Sequence, residues 1–181
     1  MNCSLVAVGS LLEVEIRPLK DSDSLVELTE LLHSAYAALA RDGLNFTATD
    51  QDVETTARRI SEGECWVARM EEEIVGTIVL AFGGDDFDPP YYLRPCVAHF
   101  GQFGVKPTLQ GRSIGSKLLN RIEDRARVLG ASHLALDTAE PASSLIEFYR
   151  RRSFEFQSFH QWHGKSYRSV VMTKALISPD F

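Results

Sequence analysis

Residues 97–138 constrain the fold most, because they predict a strand, a helix and a second strand in direct succession. Residues 97–105, VAHFGQFGV, have the apolar alternation of a strand, and residues 113–130 have the apolar spacing of a long helix that ends at Gly130. Residues 133–138, HLALDT, form a short buried strand. Such a βαβ unit implies a right-handed crossover between its two strands.

Further strands and helices are predicted on both sides of this unit. In chain order they are a strand at 14–19, helices at 21–40 and 49–63, strands at 65–70 and 74–82, a loop at 83–95, a helix at 143–152, and a closing hairpin at 154–162 and 166–175. Thr49 or Asp50 is the predicted N-cap of the second helix, and Gly63 its stop. We therefore expect an α/β protein with a mixed sheet.

Length and composition favour one domain with a small partner. The 181 residues are 44% hydrophobic, which suits a single globular domain at residues 14–181 after an apolar N-terminal extension, residues 1–13. A net charge of -6 argues against nucleic acid and anionic membranes as partners, so we expect a small molecule or a peptide. The three scattered cysteines lack zinc or redox spacing, which indicates no metal site and a cytoplasmic location.

The stretch QGRSIGSKLL, which starts at residue 110, is typical of an anion-binding turn that opens a helix. Backbone N–H groups there are unpaired and lie at the positive end of the helix dipole, so phosphate is the expected anion. The predicted cradle consists of Gln110, Gly111, Arg112, Ser113, Ile114, Gly115 and Ser116. The spacings of a Walker A loop and of GxGxxG are absent, and the pattern alone also fits an ordinary surface turn.

The strand before this turn carries a second signal. Gly101 and Gly104 lie in its interior, where glycine weakens strand packing. Interior glycines mark a bulge or a place where a ligand lies against the backbone. We therefore expect residues 97–105 to contain a bulge or a ligand contact of this kind.

Strand, turn and helix together resemble the core of the GNAT superfamily of acyl-CoA-dependent N-acyltransferases. The pyrophosphate motif of that family, Gln/Arg-x-x-Gly-x-Gly/Ala, corresponds to Gln110, Ser113 and Gly115, with serine in place of the first glycine. The resemblance extends from about residue 14 to residue 175 and is strongest from 97 to 156.

A second element of the family lies in the short helix after the βαβ unit. Its aromatic pair corresponds to Phe148 and Tyr149 and is followed by Phe154. Ser153 stands where glycine is usual, and Ala142 stands where asparagine is often found. Loop, strand and tyrosine occur in the family's order and spacing.

The resemblance implies a central seven-stranded sheet, mixed but mostly antiparallel, with about four flanking helices. In that family the strand before the turn splays from its neighbour, and the pantetheine arm of acetyl-CoA fills the gap. Phe103 and Val105 would then offer backbone groups to the pantetheine and the thioester, while the turn holds the pyrophosphate. Contacts to the thioester carbonyl would also stabilise the oxyanion of a tetrahedral intermediate.

Two catalytic residues follow from the resemblance. Tyr149 corresponds to the general acid that protonates the departing CoA thiolate. His99 stands near the position of a glutamate base and would take the amine proton, a role that water fills in many members of the family. Period-2 geometry, apart from any bulge, puts His99 on the same strand face as Phe103 and Val105.

The expected function is transfer of an acetyl group from acetyl-CoA to a primary amine of a small molecule or peptide, by direct attack in a ternary complex. The alternative is a non-catalytic acyl-CoA-binding module, motivated by Ser113, Ala142 and Ser153. Acceptor specificity would come from the first two helices and the loops near the last strands. No motif identifies the amine, and the homodimer common in the family is left open.

Overall fold

The computed structural model describes residues 13–176, which form a seven-stranded sheet with four α-helices. The strands are β1 (Glu15–Pro18), β2 (Glu64–Met70), β3 (Glu73–Phe82), β4 (Val97–Val105), β5 (His133–Ala139), β6 (Glu155–His160) and β7 (Ser169–Ala175). The helices are α1 (Leu25–Arg41), α2 (Val53–Ser61), α3 (Ile114–Val128) and α4 (Ser143–Arg150). The strand order across the sheet is β1-β2-β3-β4-β5-β7-β6.

The sheet is mixed, because one pair of neighbouring strands is parallel and the others are antiparallel. β4 and β5 form the parallel pair, with α3 connecting them, and this confirms the predicted βαβ unit. The strands of the five other neighbouring pairs run antiparallel. Strand number, mixed character and helix count all agree with the fold that the resemblance implied.

Two apolar cores lie on opposite faces of the sheet. The larger core packs α3 against the middle strands, with Leu118 and Ile122 fully buried beside Ile78 and Leu136. On the other face, α1 contributes Leu28 and Leu31 to a smaller core with residues of β2 and β3.

Several predicted boundaries are corrected by the structure. The second helix begins at Val53, because Asp52 is its N-cap and accepts a hydrogen bond from the backbone N–H of Thr55. A separate 3₁₀ turn, Thr47–Thr49, occupies the start that the sequence suggested. The closing hairpin is shorter than predicted at both strands, since β6 ends at residue 160 and β7 starts at residue 169.

Apart from residue 13, the predicted N-terminal extension lies outside the described residues. In the part of the chain that the structure describes, no helix has the length and apolar character needed to cross a membrane.

Candidate active site

The site is built around a gap between β4 and β5. The two strands pair only from Val97 opposite His133 to His99 opposite Ala135. Beyond that point β4 continues beside β3 as far as Val105, while β5 continues beside β7. The facing edges therefore separate, as the resemblance implied, and no β5 residue pairs with residues 100–105 of β4.

A bulge in β4 lies between its two glycines. Gln102 has a φ of 49°, and the register with β3 shifts between Thr77 and Val79. The predicted bulge is therefore present. A non-glycine residue holds this left-handed conformation, which is uncommon and costs free energy.

The bulge corrects the expectation that His99, Phe103 and Val105 share one face of the strand. An extra residue inverts the alternation, so the side chains of Phe103 and Val105 pack into the α3 core beside Phe100. His99 points to the face covered by α1 and α2, as its pairing with Ala81 and the pairing of Gly101 with Val79 indicate. The side chain of His99 therefore lies on the opposite face of β4 from those of Phe103 and Val105.

The carbonyl groups of the two predicted backbone contacts each accept one side-chain hydrogen bond. The Tyr36 hydroxyl donates to the carbonyl of Phe103 at 3.1 Å, and Nε2 of Gln110 donates to the carbonyl of Val105 at 3.2 Å. A carbonyl oxygen has two lone pairs, so each retains one acceptor position. Gln110 therefore ties the turn to the end of β4.

The turn before α3 has the geometry of an anion cradle. Gly111 has a φ of 77° and Ser113 a φ of 63°, so both adopt the left-handed conformation. Ser113 is the N-cap of α3 and makes no side-chain capping bond, which leaves the first N–H groups of the helix unpaired by a cap. Residues 110–113 are exposed, whereas Ile114 is buried and offers only its backbone.

Gly115 serves packing more than ligand approach. A Cβ atom at this position would lie 3.2 Å from Cζ of Phe103 and 3.6 Å from Cγ2 of Val105. The missing side chain therefore lets the start of α3 pack closely against β4. Gly111 is more open, since a Cβ atom there would meet nothing within 4 Å.

Arg152 adds positive charge beside the cradle. Its guanidinium donates a hydrogen bond to the Ser116 hydroxyl and lies 3.9 Å from the centre of the Phe148 ring. The Ser116 oxygen accepts this bond and keeps its own proton available for an anion. Arg112 is exposed at the surface of the same turn.

Tyr149 lies on α4 with 7% of its surface exposed. Its ring packs edge-on or tilted against Phe100, Phe148 and Phe154. Burial raises the pKa of the phenol well above its usual value, and the nearby groups of Tyr36 and Asp137 raise that pKa further. The hydroxyl therefore stays protonated at neutral pH, as a proton donor requires.

His99 is a neutral imidazole held in a fixed orientation. Its Nε2 lies 2.9 Å from the carbonyl oxygen of Gly83, and its ring stacks on Tyr92 with centroids 4.2 Å apart. Because a carbonyl only accepts, Nε2 carries the hydrogen and Nδ1 has the lone pair. Burial lowers the pKa of His99, which keeps the ring unprotonated near pH 7.

Sequence reasoning missed the charged groups on the α1 and α2 side of the gap. Asp137 on β5 accepts hydrogen bonds from the Tyr92 hydroxyl at 3.1 Å and from Nε1 of Trp162 at 2.8 Å. Arg59 on α2 donates to Oε1 of Gln51 at 3.0 Å. The sequence did carry a signal for Asp137, since a carboxylate near the end of a buried strand is unusual. It carried none for Arg59, because arginine is common on exposed helix faces.

The comparisons with known proteins agree with this architecture. Residues 25–154 match the Acetyltransferase (GNAT) family. The chain is 31% identical over 159 residues to S-(2-succino)cysteine N-acetyltransferase of Bacillus subtilis (strain 168), covering 87% of this chain and 92% of that protein. It is 28% identical over 158 residues to S-alkylcysteine N-acetyltransferase of the same organism, covering 86% of this chain and 85% of that protein.

A solved structure gives the same result for the fold. A GNAT family acetyltransferase of Elizabethkingia anophelis, determined with acetyl-CoA bound, superposes with a TM-score of 0.64 and 17% identity, covering 90% of this chain and 97% of the other. Family match, relatives and fold lead to one conclusion. The chain belongs to the GNAT acetyltransferase family and is an acyltransferase.

Proposed function

We propose that the protein transfers an acetyl group from acetyl-CoA to a primary amine of a small molecule or peptide, by direct attack in a ternary complex. The observation that carries the proposal is the gap between β4 and β5, which has the anion cradle at residues 110–116 and the buried phenol of Tyr149 beside it. Acceptors of small size are favoured because the two Bacillus relatives are named for S-substituted cysteines.

The cofactor arm would lie along the unpaired edge of β4. The backbone of Phe103 and Val105 would contact the pantetheine and the thioester, and the turn would bind the pyrophosphate. Within the turn, Gln110 to Ser116 supply backbone N–H groups and the serine hydroxyls supply further donors, with Arg152 reinforcing Ser116. Metal ions have no part in this proposal.

The chemistry is a single displacement through a tetrahedral intermediate. The neutral amine nitrogen attacks the thioester carbonyl carbon, the C–N bond forms and the C–S bond breaks. Tyr149 gives its proton to the leaving thiolate, and the nitrogen loses a proton to His99 Nδ1 or to water. Holding both reactants in contact supplies much of the rate acceleration.

Removal of the Tyr149 hydroxyl tests this assignment. We expect Tyr149→Phe to lower kcat by about 100-fold or more, because general acid catalysis contributes on that scale, with acetyl-CoA affinity unchanged within about threefold. Thiol release from acetyl-CoA in the presence of amines measures the first quantity, and calorimetry the second.

A matched control removes a buried phenol elsewhere. Tyr91 is similarly buried, and its hydroxyl accepts from Thr173 at 3.2 Å, beside the start of β5 and outside the gap. Tyr91→Phe should keep kcat within about threefold of the wild type. Full turnover by Tyr149→Phe would remove the acid assignment.

The serines that motivated a non-catalytic alternative both adopt a backbone conformation that glycine favours. Ser113 has a φ of 63° and Ser153 a φ of 66°, both in the left-handed region that favours glycine. This supports an intact cradle. We further propose a cytoplasmic location, where the free thiols of Cys65 and Cys96 stay reduced; a homodimer stays a prediction.

A further inference from the structure

Arg59 is a largely buried cation whose hydrogen-bond partners are neutral. Its Nη1 donates to Oε1 of Gln51 at 3.0 Å. When the amide of Gln102 is oriented with its oxygen toward α2, that oxygen accepts from Nε of Arg59 at 2.8 Å and from Nη1 at 2.9 Å. Within residues 13–176, no carboxylate forms an ion pair with this guanidinium.

Among the described residues, no carboxylate therefore contacts Arg59 directly. Burial lowers the pKa of the guanidinium, which shows that the surroundings disfavour its charge. Two amide oxygens satisfy one side of the planar group, while Nη2 has no hydrogen-bond partner among the described residues. A cation removed from water is costly without an anion, and a guanidinium fork matches a carboxylate.

Asp137 is the complementary feature on the other side of the gap. Its oxygens accept only from the neutral groups of Tyr92 and Trp162, and in the described part of the chain it forms no ion pair with a cation. It lies two residues beyond Ala135, the last residue of β5 that pairs with β4. Asp137 thus stands at the mouth of the gap, across from the bulge that carries Gln102.

Arg59 contacts the β4 side of the gap through Gln102, and Asp137 lies on the β5 side. The pKa of Tyr36, raised to about 12 by burial, is lowered by the charge of Arg59 and raised by that of Asp137. Asp137 also raises the pKa of Tyr149, the proposed acid. The hydroxyl of Tyr36 contacts the carbonyl of Phe103, the residue after Gln102, so Tyr36 lies beside the β4 bulge that Arg59 contacts.

We propose that the acceptor is an α-amino acid or a close derivative, whose carboxylate is bound by Arg59 and whose amino group is bound by Asp137. This inference rests on the proposed function. Arg59 lies on the α2 side of β4 through Gln102, whereas the cradle opens at the start of α3, so the arginine is not placed to bind the pyrophosphate. Asp137 orients the ammonium near Tyr149. The nitrogen loses one proton to His99 Nδ1 or to water before it attacks, and it loses a second to water after the C–N bond has formed.

Two other classes of acceptor match this arrangement less well. A simple alkylamine or polyamine would leave Arg59 without a counterion. A protein N-terminus lacks a free α-carboxylate, since the first residue's carboxyl group is in a peptide bond. The pair of opposite charges matches a ligand that carries both an ammonium and a carboxylate.

The test compares ligands that differ only in the carboxylate. S-methyl-L-cysteine and S-methylcysteamine are titrated separately into the protein saturated with CoA, and heat is measured. The wild type should bind S-methyl-L-cysteine about 30-fold more tightly, as expected for a charge-assisted bond. In Arg59→Gln this preference should fall below about threefold, through weaker binding of the amino acid alone.

Arg58 is the matched control, since it is the adjacent arginine of α2 and its exposed side chain pairs with Glu62. Arg58→Gln should keep the full preference for the carboxylate ligand. Asp137→Asn should weaken the binding of S-methyl-L-cysteine about tenfold. Its affinity for N-acetyl-S-methyl-L-cysteine, which has no ammonium, should stay within about threefold of that of the wild type.

Three results would overturn the inference: equal binding of the two ligands by the wild type, no binding of either, or a carboxylate preference that survives in Arg59→Gln. Failure of the proposed function gives a different pattern. A wild type that prefers the carboxylate ligand, yet releases no thiol from acetyl-CoA with any amine, would retain the amino-acid site and lose the catalytic proposal.

Discussion

A negative charge placed at Ser113 should weaken acetyl-CoA binding while preserving the fold. Ser113 is exposed, has a φ of 63° and is the N-cap of α3. Asparagine and aspartate both tolerate left-handed backbone and both cap helices well. Ser113→Asp and Ser113→Asn therefore form a pair of nearly equal shape that differ in charge.

The size of the effect follows from exposure of the site. Two unit charges about 4 Å apart in water interact by about 1 kcal/mol, and a pyrophosphate in the cradle carries about two negative charges. Repulsion of about 2 kcal/mol corresponds to a loss of about 30-fold in affinity. Ser113→Asn should stay within about threefold of the wild type.

Calorimetric titration with acetyl-CoA measures both variants at low ionic strength, and the same titration at high salt provides a check. High salt should reduce the difference in acetyl-CoA affinity between the aspartate and asparagine variants, because it screens exposed charges. Equal affinities for the two variants at low salt would refute the placement of the pyrophosphate at this turn. Loss of binding in both would mean that steric fit rather than charge was changed.

Two further predictions concern stability. Ser153→Gly should raise the free energy of unfolding, measured in urea, by about 0.5 kcal/mol. The left-handed conformation costs serine about 1 kcal/mol, and the larger backbone entropy that glycine loses on folding offsets part of that gain. Ser143→Gly at the start of α4 should destabilise the protein, and a destabilised Ser153→Gly would contradict the strain at this residue. Asp23, which accepts bonds from Arg17 at 2.7 and 2.8 Å and from Arg69 at 3.1 Å, has its pKa lowered from 3.8 to about 2. Its stabilisation is thus fully present above about pH 4 and lost toward pH 2, so Asp23→Asn should cost about 2 kcal/mol at pH 7 and less as the pH falls, and equal stability at pH 7 would contradict this.

The βαβ unit was predictable because its information is local. Apolar periodicity and the stop at Gly130 define β4, α3 and β5 within one or two residues of the observed bounds. Gly101 and Gly104 also marked the bulge correctly, since interior glycines disturb a strand. The prediction that His99 shares a strand face with Phe103 and Val105 was wrong. The residue in the left-handed conformation between them is Gln102, and glutamine has no preference for that conformation.

The pairing of groups on the polar side of the gap was not predictable for a different reason, although Asp137 by itself carried a signal. Arg59, Gln102 and Asp137 come from α2, β4 and β5, and their meaning depends on which partners lack opposite charge in three dimensions. A single sequence contains no record of such pairings. The start of α2 was also missed, because the helix uses Asp52 as its cap when Thr49 and Asp50 are equally good candidates by residue type.

The central claim is direct acetyl transfer to an amine, and one reaction tests it. The protein is incubated with acetyl-CoA and S-methyl-L-cysteine, and free CoA thiol and N-acetylated product are quantified in the same sample. The account predicts that both appear in equal amounts and that omission of the amine abolishes thiol release. Thiol release without N-acetylated product, or acetyl-CoA binding with no thiol release for any amine offered, would contradict it.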